Sequence, residues 1–246
     1  MIAALRRRRA PSPPRFAFVS AARSHVGGRN ANEDRVLARP EKGLWAVADG
    51  MGGHAGGEAA SSLVVEALAG VPRCDSGFAF LKEVSHRLQG VNHALLARSG
   101  GSTVVALLVH EGHYACLWAG DSRAYLLRGR RLERITRDHS LVQELVDAGA
   151  LTPDEARNHP RANVITRAVG VSETLQLEKR HAPIEPGDTF LLCSDGLFGV
   201  MTDDEIADSL SHRDLETGAD ELLDEALRRR TRDNVSLVLV RAQPAT

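Results

Sequence analysis

Three aspartates, Asp49, Asp195 and Asp233, most constrain what this chain can fold into. Asp49 and Asp195 close apolar, strand-like runs, LWAVADG (44–50) and TFLLCSDG (189–196). Asp233 stands in TRDN (231–234), directly before VSLVLV. A carboxylate at the end of a buried strand is costly unless its charge has a partner. Three such positions, far apart in sequence, point to a shared cation. Gly follows two of them, in Asp49-Gly50 and Asp195-Gly196, and lets the backbone turn sharply and approach an ion. Carboxylate donors favour hard ions such as Mg²⁺ or Mn²⁺ over Zn²⁺. Taken singly, an Asp-Gly pair reads first as a turn closing a hairpin.

Composition narrows the class. A chain of 246 residues, 43% hydrophobic and 26% charged, makes one well-packed domain or two small ones. A net charge of −1 supplies no global field for nucleic acid or an anionic membrane, and 4% aromatic content argues against a base-stacking surface. Cys74, Cys116 and Cys193 lack metal-ligand spacing. Cys116 and Cys193 lie inside apolar runs and read as buried thiols, which suits a reducing compartment and a cytoplasmic location. No apolar run approaches the roughly 20 residues of a membrane helix. Arg6 to Arg9 are followed by no apolar signal core. Residues 1–14 read as a disordered basic, Pro-rich leader, either solvated or touching an acidic partner. Neutral charge and a single domain suit a monomer.

Strand patterns cover 16–20, 35–39 and 44–48. Apolar residues at 60, 63, 64, 67 and 68 predict a helix over 58–70, and a second spans 78–97. Strands follow at 103–110, 113–120 and 123–128, with tight turns at Glu111-Gly112 and Gly129-Arg130. The segment 138–168 is polar and partly helical, amphipathic over 141–150. Strands return at 174–181 and 189–193, helices at 203–211 and 216–230, and a last strand at 235–240. Ordered structure is expected over 15–241, with 242–246 as a tail. This order suits two antiparallel sheets with helices packed outside them. The lack of strict βαβ alternation argues against a doubly wound parallel sheet.

Other clusters carry chemistry. In GGRNANED (27–34), Arg29 precedes Glu33 and Asp34. Its planar fork would clamp phosphate oxygens, or the segment is a surface loop with a local ion pair. In ADGMGGHAGGEAA (48–60) the glycines form a turn or let backbone carbonyls join a metal shell, Gly50 being nearest. There is no Walker Lys-Ser/Thr, so this is not a P-loop. His54 would protonate a leaving alkoxide or bond backbone at a helix start. Asp121, in WAGDSRAYL (118–126), is by itself an ordinary hairpin Asp beside Arg123.

The segments NANED, ADGMGGH, GSTVV (101–105), WAGDSRAYL, TRDHSLVQELVDAGALTPDEA (136–156), HPRANVITRAVG (159–170), LLCSDGLFGV (191–200) and RDNVSLVLV (232–240) follow one another along the chain. Together they closely resemble the bacterial metal-dependent protein phosphatases, the type 2C serine/threonine phosphatase family, over about residues 15–241. The resemblance implies an α+β fold, a four-layer α-β-β-α sandwich of two central antiparallel sheets flanked by helix pairs. It implies two Mn²⁺ or Mg²⁺ ions at one end of the sandwich. By motif position, Asp49 would bridge them and Gly50 would give its carbonyl to one. Asp195 and Asp233 would complete the other. Glu33 would reach the centre directly or through water, and Asp34 would orient a metal-bound water. Asp121, with Asp195, matches a weaker third metal site. Arg29 matches the phosphate-binding Arg, 138–168 a mobile flap, and Asn234 a residue holding the final metal loop.

The implied activity is hydrolysis of phosphoserine and phosphothreonine by metal-activated water, without a covalent phosphoenzyme. Cys193 is then no nucleophile. Some members place a proposed general-acid His directly after Asp-Gly. Here Met51 follows, and His54 comes later. The implied partners are phosphorylated proteins and a cognate Ser/Thr kinase. AVADGMGGH and WAGDSR look similar to phosphatases of secretion-system control. Two rival readings are an inactive phosphoprotein-binding module on this fold and a phosphatase for small phosphoesters. Arg157, His159, Arg161 and Arg167 of the flap segment would contact a protein substrate or simply be solvated.

Overall fold

The computed structural model describes residues 16–52, 55–211 and 214–245. The leader expected over 1–14 and His54 lie outside the described residues. The chain opens with β1 (Phe16–His25), β2 (Asp34–Arg39), a 3₁₀ turn at Pro40–Lys42 and β3 (Leu44–Met51), then α1 (Ala55–Ala69) and α2 (Gly77–Leu96). Next come β4 (Gly101–Ser102), β5 (Val104–His110), β6 (His113–Ala119), β7 (Arg123–Arg128) and β8 (Arg131–Arg134). Two short helices, α3 (Leu141–Asp147) and α4 (Pro153–Arg157), precede β9 (Glu178–Pro183) and β10 (Thr189–Cys193). The chain closes with α5 (Asp195–Phe198), α6 (Asp203–Leu210), α7 (Leu215–Arg228) and β11 (Val235–Pro244).

One sheet has the order β1-β11-β10-β7-β8, the other β2-β3-β5-β6-β9 with β4 beside β3. All named strand pairs are antiparallel. Side chains alternate across each strand, and each sheet is covered on both faces. Trp45, Val47, Leu107 and Trp118 of one sheet meet Leu126, Phe190, Leu192 and Val238 of the other. The alternate positions Leu44, Ala46 and Ala48 pack under α1 and α2 with Val64, Leu68, Val84 and Leu88. On the far side, Leu191, Cys193 and Leu239 pack under α6 and α7 with Ile206, Leu222 and Ala226. Burial on both faces explains the near-continuous apolar runs that the strands present in sequence. Phe190 is fully buried, and its truncation to Ala would cost about 3–5 kcal/mol.

Helix and turn chemistry sets the boundaries. Ser76 caps α2 by accepting from the Ala79 N–H, and Thr202 with Glu205 forms a capping box on α6. Lys42 Nζ donates to the Ala69 and Val71 carbonyls, closing α1. Both predicted tight turns are present. Glu111 and Gly112 take φ of 46° and 77° between the register pair His110 and His113, a two-residue turn with the twist hairpins favour. Some boundaries move. β9 starts at Glu178, not 174, and β11 runs through Pro244, past the predicted strand end at 240 and into the expected tail. There it is held by β1, with Phe16 opposite Pro244.

Candidate metal centre

Strand register carries the acidic residues to one end of the sandwich. Cys193 on β10 lies opposite Arg123 on β7 and Leu237 on β11. Continuing two residues beyond Cys193 and two before Arg123 brings Asp195 and Asp121 to the same end. The same step past β10, and the residues just before β11, bring Asp233 there. On the other sheet, Val47 faces Val105, and Asp49 follows two residues later. Its carbonyl accepts from the Thr103 N–H at 2.8 Å, and its own N–H donates to Thr103 Oγ1 at 3.1 Å. Thr103 Oγ1 also lies 2.7 Å from Ser122 Oγ, tying the Asp49 strand to the residue after Asp121. Asp49 lies inside β3, two residues from its end, whereas Asp195 opens α5 and Asp233 stands outside a strand.

A cleft of about 350 Å³ opens here. Arg29, Glu33, Asp49, Gly50, Asp121, Asp195 and Asp233 line it, with Asn163 and Ile165 from the flap segment. Asp34 does not line it. It sits behind Asp49, opposite it in register, 1% exposed, and its Oδ2 accepts from Ser194 Oγ at 2.7 Å. The Asp expected to orient water therefore stands behind the carboxylates that line the cleft.

Desolvation and mutual repulsion dominate the electrostatics. Burial first, then the charges of Asp34, Asp195, Asp121 and Asp233, holds the Asp49 pKa well above the carboxylate range. Asp195 is raised in the same way, by burial and then by Asp121 and Asp233. Asp121 is pushed up to about 6 by burial and next by Asp138. Asp34 is pushed up to about 6 mainly by burial, against the lowering hydrogen bond from Ser194. Asp34 Oδ1 and Asp195 Oδ1 are buried without a hydrogen-bond donor, a costly state for carboxylate oxygens.

This donor set fits hard divalent cations. Carboxylates crowd one cleft, buried acceptor oxygens lack donors, and among the described residues that line it Arg29 is the one cation. Gly50 lines the same cleft at a position where only glycine fits. A Cβ there would lie 2.2 Å from the Gly57 oxygen and 2.8 Å from the Glu33 oxygen. Among the described residues, no three His, Cys, Asp or Glu side chains are already drawn into ligating geometry about one point. Arg29 instead grips Asp233 with Nε on Oδ1 at 2.8 Å and Nη2 on Oδ2 at 2.6 Å. The ion pair anticipated for this loop is therefore long-range, and its acidic partner is Asp233.

Asn234 holds the loops together. Its Oδ1 accepts from the Glu33 N–H at 2.8 Å, and its Nδ2 donates to the Val26 and Ala31 carbonyls at 2.8 and 2.9 Å. Ser194, Thr103 and Ser122 are supporting residues that the sequence does not single out. Their partners lie tens of residues away, and only strand register brings them together.

A family model described as protein phosphatase 2C matches residues 21–237. The chain belongs to the protein phosphatase 2C family. Over 231 residues it is 39% identical to the serine/threonine protein phosphatase PstP of Mycobacterium tuberculosis (strain ATCC 25618 / H37Rv). That match covers 89% of this chain and 44% of the mycobacterial protein, so the chain spans under half of that relative's length. Among solved structures of this fold, PppA, a key regulatory component of T6SS in Pseudomonas aeruginosa, matches with a TM-score of 0.86 at 46% identity. The match covers 92% of this chain and 97% of that one. The catalytic domain of PstP in complex with 2 manganese ions matches with a TM-score of 0.83 at 37% identity, covering 93% and 100%. The two-sheet sandwich with outer helices is the protein phosphatase 2C fold, as expected from the motifs.

Proposed function

We propose that this protein phosphatase 2C family member is a Mn²⁺- or Mg²⁺-dependent serine/threonine protein phosphatase. The observation that carries the reading is the cleft itself: Asp49, Asp121, Asp195 and Asp233 crowd around it with Arg29 as their cationic neighbour. Bound divalent ions would lower the pKa of water and offset charge on a phosphoryl group. Asp49, the Gly50 carbonyl, Asp195, Asp233 and Glu33 would hold two such ions. Asp121 with Asp195 would hold a weaker third. Asp34, fixed by Ser194, would orient the attacking water by accepting its hydrogen bond.

Arg29 would turn its fork from Asp233 to the phosphoryl oxygens and neutralise charge that grows in the transition state. His54 is the proposed proton donor to the leaving Ser or Thr oxygen. Cys193 has no part in attack: it is buried, and burial pushes its thiol pKa far above neutral. The substrates would be phosphoproteins made by a cognate Ser/Thr kinase in the cytoplasm. Similarity to PppA supports a role in secretion-system control. Among the described residues, no helix is long and apolar enough to cross a membrane.

The test is hydrolysis of a phosphothreonine peptide by metal-stripped protein, with Mn²⁺, Mg²⁺ or Zn²⁺ added back and Asp49→Asn as control. Turnover with Mn²⁺ or Mg²⁺ that disappears in the variant is the expected result. Folded protein that turns over nothing under any of these metals would sink the reading.

A further inference from the structure

We propose that His139 is a positioning residue that locks the Asp121 turn to the base of the flap segment. The proposal rests on the phosphatase reading of the cleft. His139 is 6% exposed and lies on the stretch between β8 and α3. Its Nδ1 accepts from the Gly120 N–H at 3.2 Å, and its own N–H donates to the Gly120 carbonyl at 3.0 Å. Both polar groups of the residue before Asp121 are thus held by one histidine. Gly120 has φ of 115° and packs against Thr103, so the turn has little freedom of its own.

The other side of His139 faces the flap. Its carbonyl accepts from the Thr166 N–H at 2.8 Å, and Ser140 bridges Ile165 while the Leu141 N–H donates to Val164 at 2.9 Å. These bonds set where Asn163 and Ile165 stand over the cleft. The ring is clamped as well. It stacks on Trp118 at 6.2 Å and 16°, and Trp118 Nε1 donates to the Arg137 carbonyl at 2.8 Å. Nε2 lies 3.2 Å from Glu178 Oε1. Next to it, Asp138 is gripped by Arg123, whose guanidinium rides 3.7 Å above the Phe198 ring of α5. One short stretch therefore joins the Asp121 turn, the Asp195 helix and the flap. An acceptor at Nδ1 requires a neutral ring carrying its proton on Nε2. Burial lowers the pKa of this imidazole, which favours that form.

The experiment compares His139→Asn, His139→Gln and His139→Ala in the full chain. An Asn carbonyl oxygen can stand where Nδ1 stands, whereas Gln places its amide near Nε2. Two readouts are taken on variants shown by melting to be folded: kcat on a phosphothreonine peptide at saturating Mn²⁺, and the native-state rate of tryptic cleavage after Arg157 and Arg161. The Gln and Ala variants should lose about tenfold in kcat and be cut about tenfold faster, from one unsatisfied buried N–H. The Asn variant should stay near the parent in both. An Asn variant as impaired as Gln, or flap cleavage unchanged in all three, overturns the proposal. If Ala fails to fold, Asn against Gln still decides. An inactive parent would refute the phosphatase reading, while the cleavage comparison would still judge His139.

Discussion

Arg29 lines the cleft and holds both carboxylate oxygens of Asp233, at 2.8 and 2.6 Å. The fork that fits a carboxylate also fits a phosphoryl group, so on the proposed reading Arg29 and a cation would compete for Asp233. The Arg29 side chain is 57% exposed, so the pair adds at most about 0–1 kcal/mol to the fold. On the proposed reading its value would lie in ligand exchange. Arg29→Ala should raise KM for a phosphothreonine peptide about tenfold or more, the worth of a charge-assisted pair at about 1.5–3 kcal/mol. It should bind Mn²⁺ no more weakly than the parent in calorimetric titration. Arg29→Lys, with charge but no fork, should fall between. Unchanged KM in the Ala variant would remove Arg29 from phosphate recognition.

The crowded carboxylates make metal-free stability depend on pH. Asp121 has its pKa raised to about 6 by burial and then by Asp138. It binds its proton more tightly folded than unfolded. The folded state therefore loses stability as pH rises from the ordinary carboxylate range, about 4, through about 6. Asp34 acts in the same direction over the same window. In EDTA at pH 7, Asp121→Asn should be more stable than the parent by about 3 kcal/mol. The difference should shrink toward pH 4, and the relief of Asp49 and Asp195, whose pKa values the Asp121 charge raises, adds in the same direction. With Mn²⁺ the order should reverse, since ions bind the deprotonated form. Thermal melts across pH, with EDTA and with Mn²⁺, give the answer. A pH-independent difference in EDTA would contradict the electrostatic account.

Legibility in the sequence followed the range of the interaction. The long elements were readable, because 3.6-residue spacing in α2 and buried apolar runs in β5, β6 and β10 are local signals. β8 (RLER) carries no strand signal, having neither alternation nor an apolar run, and four-residue α5 is too short to show a period. The sequence pattern of β11 stops early because Arg241 and Gln243 break its apolar run, while pairing with β1 continues. In the cleft, the carboxylates stood out by charge at strand ends. The Ser194–Asp34 and Thr103–Ser122 bonds did not, since hydroxyls in strands carry no mark until register joins them. Arg29 was readable as half of an ion pair, but its partner lay 204 residues away.

Gly196 tests how tightly the Asp195 and Asp233 loops are packed. A Cβ there would lie 1.9 Å from the Asn234 carbonyl oxygen, and Thr231 Oγ1 donates to the Gly196 carbonyl at 3.0 Å. Alanine gains about 1 kcal/mol in a helix relative to glycine, but overpacking against backbone costs about 1–3 kcal/mol. Gly196→Ala should therefore lose stability in urea unfolding and bind Mn²⁺ more weakly, because the clash separates Asp195 from Asp233. A variant as stable as the parent would mean that this junction yields easily.

Asn234 reaches the cleft without supplying a ligand. It is 5% exposed, and its amide serves the Glu33 N–H and the carbonyls of Val26 and Ala31. These partners all belong to the loop that carries Arg29 and Glu33. Asn234→Ala strands them in a largely buried place, at about 1–3 kcal/mol for each group that water cannot reach. Asn234→Asp keeps the acceptor for Glu33 but loses both donors and adds a charge beside Asp233. Both variants should lose Mn²⁺ affinity and raise KM together, since Glu33 and Arg29 move as one loop. The Ala variant should also lose stability with metal absent. The Asp variant separates geometry from charge: high salt screens the added charge and should recover part of its stability, but not the lost carbonyl bonds. Melting curves in EDTA at low and high salt, with Mn²⁺ titrations of each variant, distinguish these contributions. Full Mn²⁺ affinity in Asn234→Ala would show that the loop holds its shape without this amide.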